Sequence, residues 1–172
     1  AKEKVEYIEV GFAAMLSVHG GLSCRQVIEA VRRGMERGKE DFQVHYGIIV
    51  CAMRNHSEEQ NLAMLKCARE YLGEGVCALD LAGDESAFPT AQYRNIFQEA
   101  KRLGMPYTIH SGETGSLENV REAWELGAAR IGHGIALKKD PELMKAYARA
   151  GIGVEMCPTS NFQTKAVQTW QD

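Results

Sequence analysis

The chain has 172 residues, of which 45% are hydrophobic and 25% charged, a composition typical of a globular protein that can bury a core. Twenty Lys and Arg against 23 Asp and Glu give a net charge of -3, which argues against a basic nucleic-acid-binding or membrane-surface protein. No apolar run approaches the roughly 18–20 residues that span a bilayer, and residues 1–15 lack the layout of a signal peptide. The five scattered Cys include no Cys-x-x-Cys pair, so we expect a reducing compartment and a cytoplasmic protein.

Six short β-rich runs alternate with longer segments that carry apolar residues at helical spacing. The runs cover residues 7–13, 44–53, 75–83, 105–112, 129–134 and 151–158. They are nearly continuous apolar stretches, as expected of strands covered on both faces, and strands that alternate with helices are expected to run parallel. We therefore predict a single α/β domain over residues 1–172. The pattern alone leaves a barrel and an open sheet as alternatives.

Five helices are predicted from their apolar spacing and from the residues at their ends. Side chains that cap free backbone N–H groups begin them: Ser23, Ser57, Thr90, Ser116 and Asp140. Glycines, which favour the left-handed conformation after a last turn, end four of them: Gly73, Gly104, Gly127 and Gly151. Because both kinds of end signal flank the same apolar segments, the helices are predicted independently of the strands.

Polar residues follow four successive predicted strands, and parallel α/β proteins place their chemistry at the carboxyl ends of strands. These residues are Asp80, Gly83, Asp84 and Glu85, then His110 and Glu113, then His133, and finally Thr159, Ser160 and Asn161. Taken singly, Asp80 and Glu85 are interpreted as loop or capping carboxylates, and His133 can equally be a hydrogen-bonded core histidine. We interpret three other histidines as structural: His19, His45 and His56. For His45 and His56 the reason is that they are predicted to lie away from this rim.

The most specific pattern is the segment His110-Ser111-Gly112-Glu113. A neutral imidazole at a strand end is a common metal ligand, and Gly112 allows a sharp turn that brings the Glu113 carboxylate back to the same site. A carboxyl group beside a metal-activated water can shuttle protons, and His133 on the neighbouring strand can hold the resulting hydroxide. These residues alone indicate metal-assisted hydrolysis, with His110 able to bind several divalent ions.

Four segments, DLAGDE (80–85), TIHSGE (108–113), RIGHG (130–134) and EMCPTSN (155–161), resemble in order and spacing the signature segments of the adenosine deaminase family. That family is a zinc-dependent TIM-barrel branch of the amidohydrolases, and the resemblance covers essentially the whole chain. It implies a (β/α)8-barrel fold, here an incomplete set of about six parallel β/α units that we expect to be strands two to seven. It also implies hydrolytic deamination of adenosine to inosine and ammonia, in purine salvage.

The resemblance implies a role for each matching residue. His110 matches the histidine that binds zinc, and Glu113 matches the carboxyl that gives a proton to purine N1 and takes one from the zinc-bound water. His133 matches the histidine that positions and stabilises the attacking hydroxide. Gly83 matches the glycine whose backbone N–H contacts purine N3. The implied cofactor is one zinc ion and the implied substrate a purine nucleoside, with no nucleic-acid or membrane partner.

The sequence also departs from the family pattern. It has no His-x-His, which in the family supplies two zinc ligands on the first strand, and no Asp-Asp, which follows the last strand. Gly11, Ala14 and Ser111 stand where the family usually has Arg, Pro and Ala. With His110 as one of four expected ligands, zinc can be absent from this chain, and we expect the isolated chain to be a poor catalyst or none.

Two other hypotheses stay open. One is a non-catalytic fragment or engineered scaffold that associates with itself or with a complementing chain, because an incomplete barrel has open strand edges. The other is an aminohydrolase acting on adenine or an adenine nucleotide. The expected partner is therefore a second copy of the chain or a complementing fragment.

Overall fold

The computed structural model describes residues 4–169, in which six parallel strands alternate with helices. The strands are β1 (Tyr7–Phe12), β2 (His45–Met53), β3 (Val76–Ala82), β4 (Thr108–Ser111), β5 (Arg130–His133) and β6 (Gly153–Glu155). The α-helices are α1 (Cys24–Phe42), α2 (Glu58–Arg69), α3 (Arg94–Arg102), α4 (Leu117–Leu126), α5 (Pro141–Ala150) and α6 (Pro158–Gln163). Short 3-10 helices cover Ala14–Ser17, Thr90–Tyr93 and Ile135–Lys139.

The strands pair in chain order, which is the winding of a barrel. β1, β2 and β3 form one parallel sheet, and β4, β5 and β6 form another. A bridge between Leu79 and Tyr107 joins β3 to β4. A doubly wound open sheet would instead reverse its strand order at a switch point. The order of the strands therefore decides between the two alternatives, and the predicted partial barrel of six parallel β/α units is confirmed.

All six predicted strands extend beyond the observed ones, four of them by only one or two residues, and a proline is involved in the two larger differences. The run 105–112 contains Pro106, which has no N–H for a ladder; its carbonyl accepts a hydrogen bond of 2.8 Å from Leu79 N, and β4 begins only at Thr108. The run 151–158 ends in Pro158, which begins α6 rather than ending β6. Proline is favourable at a first helical position because its missing N–H would have no partner there. The sequence analysis missed α6 for this reason.

Four of the five predicted N-terminal caps are confirmed. Each accepts a hydrogen bond from a backbone N–H of the first helical turn: Ser23, Ser57, Ser116 and Asp140. The fifth is wrong, because Thr90 begins a 3-10 helix ahead of α3 and its hydroxyl accepts a hydrogen bond from Arg54. Gly127 and Gly151 are left-handed caps as predicted, whereas α2 ends at Arg69 and Gly73 lies in a separate turn beyond it.

The two faces of the strands have different surroundings because successive side chains point to opposite sides of a sheet. In β2, Ile48, Val50 and Ala52 are fully buried in one continuous hydrophobic core that runs across both sheets and includes residues of the helices. Ile49 and Cys51 instead line a cavity of about 530 Å³ in the barrel interior, together with several charged side chains. The interior is therefore the polar side of these strands.

All five cysteines have free thiols. Cys51 is buried, and burial together with the charge of Asp80 raises the pKa of its thiol, as expected of an unreactive core cysteine. No helix within residues 4–169 combines the length and the apolar character that a membrane crossing needs.

Candidate functional site

β4 and the turn that follows it carry two of the predicted site residues. His110 lies within β4, and Glu113 follows Gly112, whose φ of 79° is readily adopted by glycine. A Cβ atom at Gly112 would lie 2.6 Å from Val120 Cγ2, so the packing of the turn also requires glycine. The chain folds back at this residue as predicted, and Glu113 lines the same cavity as His110.

His133 ends β5 in an unusual backbone conformation, with a φ of 65°. Alternation along the strand directs Arg130 to the interior and would direct His133 to the opposite face. The left-handed conformation ends the strand, and the His133 ring lines a cavity at the carboxyl ends of the strands. A non-glycine residue in a sparsely populated conformation costs about 1–3 kcal/mol, and such residues cluster at functional sites.

The His133 ring is buried and is held at one nitrogen. Nδ1 lies 2.7 Å from Asn161 Oδ1, and because an amide oxygen accepts hydrogen bonds, Nδ1 carries the proton. Nε2 lies 3.5 Å from Glu113 Oε2, while Glu113 Oε1 accepts a hydrogen bond of 3.0 Å from Thr164 Oγ1. The interpretation as a hydrogen-bonded core histidine thus describes one side of the ring, and the other side faces Glu113 and the cavity.

All four predicted site residues lie around one cavity. The ring centroids of His110 and His133 are 5.3 Å apart, and Glu113 lies beside His133. These three residues and Gly83 line a cavity of about 790 Å³ at the carboxyl ends of the strands. Of the residues predicted after the sixth strand, Ser160 also lines this cavity, whereas Thr159 is exposed in α6.

Asp80 lies inside β3 and pairs with His110 across the two sheets. Its Oδ2 atom is 2.7 Å from His110 Nδ1, and its Oδ1 atom accepts a hydrogen bond of 2.7 Å from Leu81 N. Burial lowers the pKa of His110, but the hydrogen bond and charge of Asp80, with Glu155 and Glu113, outweigh burial, so the pKa is raised above its ordinary value. The interpretation of Asp80 as a loop or capping carboxylate is wrong, because it is a buried carboxylate within a strand.

Glu85 is a loop carboxylate, as interpreted from the sequence, and Asp84 is another. The Glu85 side chain is buried, and its Oε1 atom accepts hydrogen bonds of 3.0 Å from both Gly112 N and Thr114 Oγ1. Asp84 Oδ1 accepts a hydrogen bond of 2.9 Å from Ser86 N within the loop after β3. Glu85 therefore connects the loop after β3 to the turn after β4.

Gly83 is placed by its neighbours as well as by its backbone. Its φ is 111°, a conformation that side chains rarely allow, and a Cβ atom there would lie 3.3 Å from Arg54 Cβ. Gly83 also lines the cavity that contains His110 and Glu113. The backbone conformation thus favours glycine, a Cβ atom would be crowded against Arg54, and the backbone of Gly83 lies next to the cavity.

Arg54, directly after β2, is a residue that the sequence analysis missed. It is 1% exposed, and its guanidinium donates hydrogen bonds to Phe88 O at 2.6 Å, Thr90 Oγ1 at 3.2 Å and His110 O at 2.7 Å. Burial lowers the pKa of Arg54, and the charge of Glu85 acts in the opposite direction. The signal that could have found it is its position, since a charged residue directly continues an apolar strand at the predicted rim.

The other three histidines are not part of the cluster. His19 and His45 are exposed, and His45 begins β2, far from its carboxyl end. The prediction that His56 lies away from the rim is wrong, because it is in the turn that follows the carboxyl end of β2. His56 is nevertheless not among the residues that line the cavity, which is consistent with a structural role.

His110 is a suitable metal ligand, but it is a single one. Asp80 holds its Nδ1 atom, the arrangement in which a carboxylate orients a metal-binding imidazole and leaves Nε2 for the metal. Within residues 4–169, no group of three or more His, Cys, Asp or Glu side chains could hold a metal ion. Among the described residues, His110 is therefore a single candidate ligand rather than part of a ligand set.

Comparison with known proteins places this cluster in a family. The family model for adenosine deaminase matches residues 1–172. The chain belongs to the adenosine deaminase family. It is 40% identical over 169 residues to the adenosine deaminase of Enterococcus faecalis, covering 98% of this chain and 50% of that protein. It is 38% identical over 173 residues to the adenosine deaminase of Clostridium perfringens, covering 100% of this chain and 52% of that protein. The chain thus spans about half the length of the curated relatives it matches.

Solved structures of related enzymes share the fold over nearly the whole chain. The N6-mAMP deaminase from Arabidopsis superposes with a TM-score of 0.84 at 27% identity, covering 98% of this chain and 52% of that one. The adenine deaminase from Arthrobacter aurescens superposes with a TM-score of 0.85 at 24% identity, covering 96% of this chain and 50% of that one. An amidohydrolase from Burkholderia ambifaria with bound Zn superposes with a TM-score of 0.88 at 23% identity, covering 95% of this chain and 46% of that one. These likenesses confirm the predicted TIM-barrel fold class.

Proposed function

We propose that this chain carries part of the active site of a zinc-dependent hydrolase that converts adenosine to inosine and ammonia. The observation that carries the proposal is the convergence of His110, Glu113 and His133 on one cavity, with each imidazole held at Nδ1 by a polar side chain. Anchoring one nitrogen fixes the orientation of a ring and leaves Nε2 for chemistry. Membership of the adenosine deaminase family supports the reaction class.

In this proposal Glu113 and His133 move protons. Glu113 is held at Oε1 by Thr164, and its Oε2 atom is the one beside His133. A carboxylic acid in that position can give a proton to N1 of a bound purine, which makes C6 electrophilic. His133, protonated at Nδ1, has an Nε2 lone pair with which it can orient a water molecule towards C6.

Zinc is the proposed cofactor, with His110 as one of its ligands. When bound, zinc supplies a water molecule that ionises near neutral pH. Residues 4–169 contain no group of three or more His, Cys, Asp or Glu side chains that could hold a metal ion, and in this proposal a complementing part of the barrel supplies further ligands. The Asp80 contact supports His110 as a ligand, since it is the contact that orients metal-binding histidines.

We propose adenosine as the substrate and Gly83 as the residue whose backbone N–H contacts the purine. The curated relatives at 38–40% identity are adenosine deaminases, whereas the adenine and N6-mAMP deaminases are 24–27% identical. Gly83 lines the cavity with the proton-transfer residues, and a side chain there would obstruct a close approach of the ligand. Adenine or an adenine nucleotide is the alternative substrate class.

A chimeric barrel tests the reaction directly. Residues 1–172 would replace the matching segment of the Enterococcus faecalis adenosine deaminase, half of whose length this chain covers. We expect the purified, zinc-loaded chimera to convert adenosine to inosine, measured by chromatography, and the isolated chain to show little or no conversion. A folded chimera with bound zinc and no adenosine turnover would falsify the proposal. Higher kcat/KM with adenine or N6-methyl-AMP than with adenosine would establish the alternative substrate class.

We also propose that the isolated chain associates, with itself or with a complementing fragment. β1 and β6 each pair with one strand in the described structure, and Ile8 on β1 and Met156 after β6 are 44% and 79% exposed. Free strand edges beside exposed apolar side chains favour edge-to-edge pairing. Light scattering at micromolar concentration should show species larger than 19.1 kDa, and a monodisperse monomer with cooperative unfolding would contradict association.

We propose a cytoplasmic location as well, and the free thiols of all five cysteines support it.

A further inference from the structure

A closed ring of hydrogen bonds passes through the turn after β4. Arg54 Nη2 donates to Thr90 Oγ1 at 3.2 Å, and Thr90 N donates to Asn119 Oδ1 at 2.8 Å. Asn119 Nδ2 donates to Glu85 Oε1 at 3.4 Å, and the same Glu85 atom accepts from Gly112 N at 3.0 Å. The ring closes where Arg54 Nη2 donates to the carbonyl of His110 at 2.7 Å.

The side chains of this ring are buried although two of them are charged. Arg54, Glu85, Thr90 and Asn119 are between 0% and 4% exposed. Burying a guanidinium and a carboxylate is unfavourable unless good hydrogen bonds compensate, and apolar side chains would give a comparable or more stable packing. Stability alone therefore does not account for these two residues. A buried network of hydrogen bonds instead fixes one arrangement of the groups that it contacts.

The groups that the ring contacts are the two ends of one turn. Arg54 binds the carbonyl of His110, and Glu85 binds the N–H of Gly112. The other two carbonyls of the turn accept backbone hydrogen bonds of 3.0 Å, Ser111 O from Gly134 N and Gly112 O from Ala136 N. The turn is thus held by the segment after β5 through the backbone and by the segments after β2 and β3 through charged side chains.

We infer that Arg54 and Glu85 are positioning residues that set the placement of His110 and Glu113 at the candidate site, an inference that rests on the proposed function of that site. The charged groups of both side chains are engaged in the ring. Arg54 does not line the cavity, whereas Glu85 lies among its lining residues. His110 is the residue whose carbonyl Arg54 holds, and Glu113 directly follows the glycine that Glu85 holds. An error of about 1 Å in the position of a reacting group can cost a factor of 100 in rate, so this restraint matters for catalysis.

Hydrogen–deuterium exchange of the full 172-residue chain, followed by mass spectrometry, measures the restraint without requiring activity. Glu85→Ala removes the acceptor of the Gly112 N–H, and we expect exchange in residues 110–116 to rise about tenfold, the effect of losing one buried hydrogen bond. Glu85→Gln keeps an acceptor oxygen of the same shape and should remain close to the parent chain. Arg54→Lys keeps the charge but replaces the fork of donors by one ammonium, so exchange in the same segment should also rise.

Glu122→Ala is the matched control. Glu122 is another buried carboxylate, on α4, and it pairs with Arg94 rather than with the ring. We expect this variant to be less stable than the parent chain. Its exchange in residues 110–116 should rise by no larger a factor than its exchange in α1. If Glu85→Ala raises exchange throughout the chain because it does not fold, Arg54→Lys decides: parent-like exchange in residues 110–116 would overturn the inference. Equal local effects of Glu85→Ala and Glu122→Ala at equal stability would overturn it as well.

The chimeric barrel adds a second measurement. Glu85→Ala should lower kcat with little change in KM, Glu85→Gln should recover most of kcat, and Glu122→Ala should leave kcat unchanged. A chimera without any turnover would contradict the proposed function while the exchange experiment still tests the ring. A Glu85→Ala chimera with parental kcat would show that the turn does not need this restraint.

Discussion

Arg130 and His133 begin and end the same short strand, β5, but they belong to two different layers of the barrel interior. In the lower layer, Arg130 lies between Glu9 on β1 and Glu155 on β6, with N–O distances of 2.5 Å and 2.6 Å. In the upper layer, His133 and Glu113 are 3.5 Å apart beside His110, and all three face a cavity. One strand thus supplies a paired charge at one end and a cavity-facing imidazole at the other.

The difference between the layers lies in how completely their polar groups are satisfied. Burial lowers the pKa of Arg130, but the hydrogen bond to Glu9 and the charges of Glu155 and Glu9 outweigh it and raise the pKa, so the cation is locked in its ion pairs. In the upper layer, each imidazole has a partner at Nδ1, and the Nε2 atom of His133 lies 3.5 Å from Glu113 Oε2. The lower layer is built to connect β1 with β5 and β6, and the upper layer keeps groups available for proton transfer.

The largest expected effect is in the upper layer. Glu113→Gln keeps the shape of the side chain and its contact with Thr164 but removes the titratable group. In the chimeric barrel we expect turnover of adenosine to fall by about 10²–10⁴-fold, the usual contribution of a general acid or base, with zinc content and folding unchanged. Steady-state kinetics and metal analysis of the two proteins provide the measurement. Near-parental turnover would remove Glu113 from the mechanism.

A smaller effect is expected in the lower layer, and on stability rather than activity. Arg130→Met leaves Glu9 and Glu155 without their shared cation in a partly buried site. We expect the free energy of unfolding in urea to fall by about 1–3 kcal/mol, between the values for exposed and fully buried pairs. Lys145→Met, which breaks an exposed pair with Glu142, is the control and should cost well under 1 kcal/mol. Equal losses in the two variants would show that the interior pair is no stronger than a surface pair.

The elements of the fold were largely predictable because their signals are local. Capping side chains and apolar spacing lie within each helix, and Ser23 and Ser57 even form complete capping boxes with Gln26 and Gln60. The error at the end of β6 arose because the same residue is compatible with two kinds of secondary structure. Pro158 continues an apolar run in the sequence, yet it begins α6 in the structure.

The site was predictable only in part, because its supporting contacts join distant segments. His110, Glu113 and His133 follow from their positions at strand ends, and the structure does bring them together. The burial of Arg54 depends on carbonyls at residues 88 and 110, which no local pattern reveals. The position of Asp80 could have predicted one of these contacts, because a carboxylate inside an apolar strand requires a partner. In the structure that partner is His110.

The smallest expected effect concerns a residue of β4 that belongs to neither layer. Ser111 points away from the interior, is fully buried, and its hydroxyl has no hydrogen-bond partner in the described structure. An unsatisfied buried hydroxyl costs about 1–3 kcal/mol, and Ala has nearly the same shape without the oxygen. Ser111→Ala should therefore raise the free energy of unfolding by about 1 kcal/mol, the lower end of that range.

Ser23→Ala is the matched control for this change, because the Ser23 hydroxyl is satisfied by the N–H of Gln26 at the start of α1. Its loss should cost about 0.5–2 kcal/mol, so the same Ser→Ala substitution has opposite signs at the two positions. Urea unfolding of both variants measures the signs. Because Ser111 lies on the opposite face of β4 from His110, the Ser111→Ala chimera should also keep parental kcat. Destabilisation by Ser111→Ala would mean that the hydroxyl has a partner, and a change in kcat would mean that the helix-facing side of β4 controls the upper layer.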